Sequence, residues 1–364
     1  LVIQTEYKKI PDEWKVMKFE DVAPLQRGFD IPTKKLVKGK YPVVYSNGIQ
    51  NFHNSFKVKG SGVITGRSGT IGKVTFLEKD FWPHNTTLWV TDFKGNNPKY
   101  IYYLCNFLKF ERFATGSGVP TLNRNDIHSY KIIIPISTQE QSIISRTLDD
   151  INELIQQLAI LIQKKNNIKL GAMQKLFTRE KRLSGFNEDW KEDQIQNHAR
   201  ITTGKKNTQD SIKDGKFPFF VRSQKIARIN TYSFDGEAVL TAGDGDIGKV
   251  FHYINEKFDF HQRVYMISDF DNKLDGFFFY LYFSKHFLKR VMSMTAKSTV
   301  DSIRMEMISE MQILLPEKKE QIAIGKIIYD MDLEIKELET KRDKYIMIKN
   351  GMMQKLLTGK IRLV

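Results

Sequence analysis

The chain repeats itself once across its 364 residues, and this doubling constrains the fold more than any other feature. Trp14 matches Trp190, Gly28 matches Gly204, Lys40-Tyr41-Pro42 matches Lys216-Phe217-Pro218, and Ile71-Gly72-Lys73-Val74 matches Ile247-Gly248-Lys249-Val250, all at an offset of 176. Further on, Glu140-Gln141 matches Glu320-Gln321, and the block opening at Gly171 matches the block opening at Gly351, both at an offset of 180. Two similar modules in tandem follow, joined by a charged linker over residues 178–187.

Each copy begins with strand-like apolar runs punctuated by Gly, Asn, Asp and Ser, as turns require. In the first copy they cover residues 41–45, 62–65, 74–77, 87–90 and 131–136; in the second, 217–221, 238–241, 250–254, 264–267 and 311–315. One aromatic-rich helical segment interrupts each, at 100–113 and 277–292. This pattern predicts an α+β domain with a mostly antiparallel sheet.

After Pro135 and Pro316 the apolar period changes. Ile144, Leu148, Ile151, Ile155, Leu158 and Ile162 step alternately by four and three, the spacing of a coiled-coil seam. The second copy repeats it at Ile324, Ile328, Met331, Ile335 and Leu338, then passes Arg342 to Tyr345, Met352 and Leu356. A helix of some forty residues would be about 60 Å long, too long to bury its stripe on a domain of ordinary size. The expectation is therefore an antiparallel coiled coil of the two helices, giving a pseudo-two-fold molecule. Gly171 and Gly351 would each cost about 1 kcal/mol inside a helix; their matched placement predicts either close helix approach or a break, or else that the regular helix ends there.

The charge identifies a partner class. Lys and Arg number 57 against 42 Asp and Glu, a net +15, and the excess is concentrated in the first copy. From Ile31 to Leu77 there is no acid, while Lys34, Lys35, Lys38, Lys40, Lys57, Lys59, Arg67 and Lys73 supply eight bases. A polyanion such as DNA or RNA is the expected ligand, against the plainer reading of a soluble basic surface, with this acid-free run contributing most to affinity. The single cysteine, Cys105, permits no intrachain disulfide and fits a reducing cytoplasm. The opening residues lack a signal-peptide apolar run, and the apolar stretch 277–283 is too short to span a bilayer. No membrane partner is expected.

Catalytic constellations are not evident. Gly243-Asp244-Gly245-Asp246-Ile247-Gly248 has the letters of a dinucleotide loop, but lies between two strand-like runs, so no helix N-terminus follows to hold a pyrophosphate. Glu13-Trp14-Lys15 and Asp189-Trp190-Lys191 resemble half of a nuclease site without its spaced upstream acid, and read better as domain-opening core tryptophans. Asn97-Pro98-Lys99-Tyr100 is not an adenine clamp, and the seven histidines show no metal-ligand spacing. Binding loops are better supported. Ser46 and Asn47 in one copy, and Arg222, Ser223 and Gln224 in the other, follow matched strands. The glycine hairpins carry Arg67 and Ser68, and Asp244, where the backbone could approach a ligand closely. Two polar loops carry Thr121, Asn123 and Arg124, and Lys297, Ser298 and Arg304. Arg and Lys can read guanine, and Asn and Gln adenine, in the major groove.

In their duplicated order, these motifs resemble the specificity (S) subunit of type I restriction-modification systems. The resemblance rests on Pro11-Asp12-Glu13-Trp14, the two Ile-Gly-Lys-Val turns, His261-Gln262-Arg263-Val264, the Pro-to-Glu-Gln stretches at 135–141 and 316–321, and the Met-Gln-Lys-Leu blocks at 173–176 and 353–356. It implies recognition domains at 1–136 and 184–316 and spacer helices at 137–183 and 317–364. It adds Gln262 and Arg263 to the candidate DNA contacts, whereas Trp82-Pro83-His84-Asn85-Thr86 in the first copy lacks that Gln-Arg pair. It further implies double-stranded DNA as ligand, methyltransferase (M) subunits, two in number, on the helices, and possible restriction (R) subunits. No cofactor would bind this chain: S-adenosylmethionine would belong to M, and ATP and Mg to R. The rival readings are a stand-alone nuclease or methyltransferase, a stand-alone DNA-binding or scaffold protein, and the specificity subunit of a related type II-like enzyme.

Overall fold

The computed structural model describes residues 10–116, 120–294 and 302–363. The chain divides into two compact units, one of Leu1–Leu161 with Leu338–Val364 and one of Ile162–Glu337. Each takes a globular part, the adjoining stretch of one long helix and a stretch of the other.

In the first unit β1 (Trp14–Lys18), helix α1 (Phe19–Val22) and β2 (Leu25–Arg27) lead to β3 (Tyr41–Tyr45), β4 (Gly48–His53), β5 (Gly62–Gly66), β6 (Val74–Leu77), β7 (Trp82–Pro83) and β8 (Thr87–Val90). Helix α2 (Pro98–Leu108), the short β9 (Ala114–Thr115) and β10 (Thr121–Leu122), α3 (Arg124–His128) and β11 (Lys131–Pro135) complete the globular part. A four-stranded antiparallel sheet runs β2-β8-β5-β6, and a three-stranded one runs β4-β3-β7, with β3 and β7 parallel. Strand β1 pairs β11 antiparallel, which brings the opening of the unit beside its close. The second aromatic segment of the expected helix 100–113 is not α-helical. Helix α2 stops at Leu108 because Lys109 takes a left-handed φ of 51°, and a 3-10 turn, Phe110–Phe113, follows.

Past the long helix α4 (Thr138–Phe177), the second unit repeats the plan with β12 (Lys191–Gln194), β13 (Arg200–Thr203), β14 (Phe217–Phe220), β15 (Ala227–Ile229), β16 (Phe234–Ala242), β17 (Phe251–Phe260) and β18 (Val264–Ser268). Helix α5 (Gly276–Ser293), the short α6 (Met305–Ser309), β19 (Gln312–Leu315) and the long α7 (Lys318–Leu356) follow. Here one six-stranded sheet runs β13-β18-β16-β17-β14-β15, and β12 pairs β19. The difference from the first unit has a local cause. Strand β17 continues unbroken for ten residues and pairs with both β16 and β14. In the first unit the chain turns between β6 and β7, where the Asp80 side chain accepts from the Gly60 amide at 2.9 Å.

Both interrupting helices start on the same device. Asn97 accepts from the Tyr100 amide and Asp275 from the Phe278 amide, at 3.0 and 2.8 Å, satisfying a donor that the first turn leaves unpaired. Their buried faces form the cores, with Tyr100, Tyr103 and Leu104 packing around Phe19 and Phe110 in the first unit. In the second, Phe279, Phe283 and Phe287 stack in series, with ring centroids 5.2 and 4.4 Å apart. Truncating such a ring leaves a cavity, so Phe279→Ala should destabilise the second unit by about 3–5 kcal/mol, read as a lowered urea midpoint against wild type. An unchanged midpoint would place Phe279 outside the core.

The Glu-Gln repeat is structural. Fully buried Glu140 accepts from the Trp14 indole at 3.3 Å and from Nε and Nη2 of Arg362 at 3.0 and 2.8 Å. Glu320 does the same with Trp190 at 3.0 Å and with Arg182 at 3.2 and 2.7 Å. Gln141 and Gln321 each donate to the carbonyl of the preceding proline and accept from the amide of residue 97 or 275. The two tryptophans are therefore core residues, as expected, each tied to the N-terminus of a long helix.

Within each unit the two long helices run antiparallel. Lys349 donates to Asn152 in the first; in the second, Lys165 meets Glu334 at 2.6 Å and Lys169 meets Asp332 at 2.5 Å. Ile144, Leu148, Ile151, Leu158, Ile162, Ile328 and Ile335 are buried, while Ile155, Met331 and Leu338 are half-buried. The expected seam is shared, however: Ile144 and Leu148 join the first unit's globular core, and Ile324 and Ile328 the second's. Gly171 and Gly351 lie inside the helices, and a Cβ there would meet nothing within 4 Å. They mark neither close approach nor a helix end.

Candidate nucleic-acid interface

In the first unit four loops meet at one end of the β2-β8-β5-β6 sheet. The amides of Arg67 and Ser68, in the hairpin between β5 and β6, donate to the Thr86 carbonyl at 2.8 and 3.2 Å. On the other side Leu122 donates to the Arg67 carbonyl at 2.8 Å, and Ser68 bridges Thr121. Ser46 joins through its amide, which donates to Thr86 Oγ1 at 3.3 Å. Lys73, of the repeated Ile-Gly-Lys-Val turn, holds the Asn47 carbonyl at 2.8 Å. The hairpin depends on glycine. Gly69 and Gly72 take φ of 84° and 87°, and a Cβ on Gly66 would lie 1.8 Å from the Thr70 carbonyl oxygen. These contacts place Ser46, Asn47, Arg67, Ser68 and Thr121 together.

The second unit builds the same site with different side chains. Gly243 donates to the Arg263 carbonyl at 2.8 Å, Ile303 donates to the Gly243 carbonyl at 2.7 Å, and Asp244 bridges Ser302. His261 donates to the Phe220 carbonyl, bringing in the end of β14 and hence Arg222, Ser223 and Gln224. Asp244 accepts from Arg222 Nη1 at 2.9 Å and from Arg263 Nη1 at 2.6 Å. Burial pushes the Asp244 carboxyl up, but the hydrogen bonds from Arg263 and Arg222 outweigh it and hold the group below the ordinary aspartate value. The glycine series 243–248 is thus a strand-to-strand turn, not a phosphate loop.

Other candidates have settled partners or lie apart. Gln224 donates to the Lys249 carbonyl, Gln262 to Asn207 Oδ1, and Ser223 to the Lys225 carbonyl. Asn123 caps α3 by accepting from the Asn125 amide, while Arg124, the first residue of α3, and Arg304, just before α6, are exposed. Lys34, Lys35, Lys38 and Lys40 are all exposed. Lys38 and Lys40 flank the Tyr41 end of the β3–β4 hairpin, with Val37 and Gly39 against His53 and Asn54, so the whole length of β3, roughly 13 Å from Tyr41 to Tyr45, lies between them and Ser46. Lys297 and Ser298 lie outside the described residues. Thr86, His84 and Lys73 stood out in the sequence only as part of a divergent segment and of the basic run, not as members of this loop cluster. His84 shares a hydrogen bond with Thr86 at 3.0 Å, and its ring lies 4.2 Å from that of Tyr45. The turns at 84–87 and 261–264 share their hydrogen bonds, Thr87 donating to the His84 carbonyl and Val264 to the His261 carbonyl, which fixes the correspondence of Thr86 with Arg263.

Among the described residues no three His, Cys, Asp or Glu are grouped as metal ligands, and no helix is long and apolar enough to cross a membrane. Cys105 is buried and its thiol is pushed up by that burial, which keeps it from being a nucleophile. Each unit thus joins a globular part with a loop cluster to antiparallel stretches of the two long helices, the same plan twice in one chain. A family model described as the type I restriction modification DNA specificity domain matches residues 11–170 and again 187–346, and the chain belongs to this family of non-catalytic specificity subunits. It is 22% identical to the type I restriction enzyme MjaVIII specificity subunit of Methanocaldococcus jannaschii, over 97% of this chain and 94% of that one. It is 26% identical to the EcoDI specificity subunit of Escherichia coli, over 47% of this chain and 37% of that protein. The crystal structure of a type I S subunit from M. genitalium superposes with a TM-score of 0.69 at 17% identity, covering 97% of each chain.

Proposed function

We propose that this chain reads a bipartite, asymmetric DNA site for a type I restriction-modification complex, one recognition domain (1–136 or 184–316) per half-site. The observation that carries this reading is that equivalent loops meet in both units yet present different chemistry: Ser46, Ser68 and Thr86 in one, Arg222, Asp244 and Arg263 in the other. One scaffold with two side-chain sets suits two different short sequences. In this reading the long helices dock methyltransferase subunits, two of them, and restriction subunits can join. S-adenosylmethionine, ATP and Mg serve those partners in the cytoplasm, and this chain contributes recognition alone. Phosphate contacts position each unit and base contacts discriminate. The test is selection from random duplexes by the chain purified with its co-expressed methyltransferase. A split consensus with two unlike halves is expected; a single contiguous site, or no enrichment, would refute the reading.

A further inference from the structure

The Arg222–Asp244–Arg263 cluster gives the second recognition unit a charged group where the first carries Ser46, Ser68 and Thr86. Asp244 sits on a backbone fixed from both sides, by Gly243 donating to the Arg263 carbonyl and by the bridge to Ser302. The residue is only 9% exposed, whereas the Arg222 and Arg263 side chains are 43% and 63% exposed. Each guanidinium gives Asp244 a single Nη1 and has no other side-chain partner among the described residues. A guanidinium has five N–H donors in a planar fork, so a bidentate edge of each remains for a ligand. Two cations held by one anion leave the cluster net positive, and the shared carboxylate offsets the repulsion between them. An arginine restrained this way loses less freedom on binding than a loose one.

Resting on the reading above, we propose that Asp244 is a positioning residue that presents Arg222 and Arg263 as paired guanine readers, so that the half-site of the second unit carries guanine where these forks meet the bases. The bidentate match of arginine to guanine O6 and N7 is the chemical basis. The first unit supplies the internal control. Its backbone equivalents Ser46, Ser68 and Thr86 are hydroxyls, with Ser68 bridging Thr121 as Asp244 bridges Ser302. Its half-site should not respond to changes in the cluster.

The test is parallel selection from random duplexes by the methyltransferase complex of wild type, Asp244→Asn, Arg222→Lys and Arg263→Lys. Each lysine variant keeps its charge and loses the fork. The expected result is a guanine preference in one half-site that falls by roughly 5- to 150-fold in the lysine variants. Asp244→Asn should relax the same positions, while the other half-site and the unfolding temperature stay unchanged. A merely structural role for Asp244 would instead weaken every position of that half-site and lower the unfolding temperature. A split consensus with no guanine sensitive to these arginines, or guanine preference retained in Asp244→Asn, overturns this inference alone. No consensus from any of the proteins overturns the recognition reading and this inference with it.

Discussion

Raising salt from 50 to 200 mM should weaken binding of the methyltransferase complex to its DNA site by about 10³–10⁵-fold, the loss expected for six to ten neutralised phosphates. The chain's net charge of +15 and its acid-free stretch motivate this expectation. Lys34, Lys35, Lys38 and Lys40 are exposed, and none of them forms an ion pair among the described residues. Lys38 and Lys40 lie away from the converging loops, which suits phosphate contacts rather than base readout. Reversing all four to Glu should lower the slope of log K against log salt by about 3.6, at about 0.9 per lost contact. The bases selected should not change. A flat salt response, or an altered consensus with an unaltered slope, would show that the lysines do not contact phosphate.

The second large effect concerns spacing. Helices α4 and α7 are continuous over 40 and 39 residues. Deleting residues 151–157 of α4 together with 344–350 of α7 removes one heptad from each of two paired segments, since Asn152 bonds Lys349. The seam stays in phase because the deletion equals its repeat. Each helix shortens by about 10 Å at 1.5 Å per residue, which corresponds to about three base pairs at 3.4 Å each. Selection with this variant should return the same two half-sites with a spacer changed by about three base pairs, and methylation of the original spacing should be lost. Altered half-sites with an unchanged spacer would mean that the helices do not set the distance.

The repeated architecture was legible because duplication leaves paired anchors at two fixed offsets, 176 through the globular parts and 180 through the helices. Strands at 41–45, 74–77 and 87–90 stand where alternation and turn residues put them. What escaped were features decided by single backbone conformations or by distant partners. The left-handed Lys109 that ends α2 carries no glycine to announce it. The matched Gly171 and Gly351 suggested packing, yet the helix surface around them is open. Glu140 and Glu320 stood out as a motif, but their roles rest on Arg362 and Arg182, whose sequence distances of 222 and 138 residues no local pattern reports. The loop clusters were half legible. Arg222, Asp244 and Arg263 each stood out singly, and only the shared carboxylate reveals that they form one group.

The salt bridge between Glu140 and Arg362 bears on how the polypeptide acquires its shape during synthesis. Residues 162–337 form an uninterrupted stretch and can close upon themselves as soon as they leave the ribosome. The unit whose residues are translated first must wait with the charge of its buried glutamate unpaired until the segment from 338 onward brings Arg362. Maturation is thus expected to run against the direction of translation, the later-made half becoming native before the earlier one.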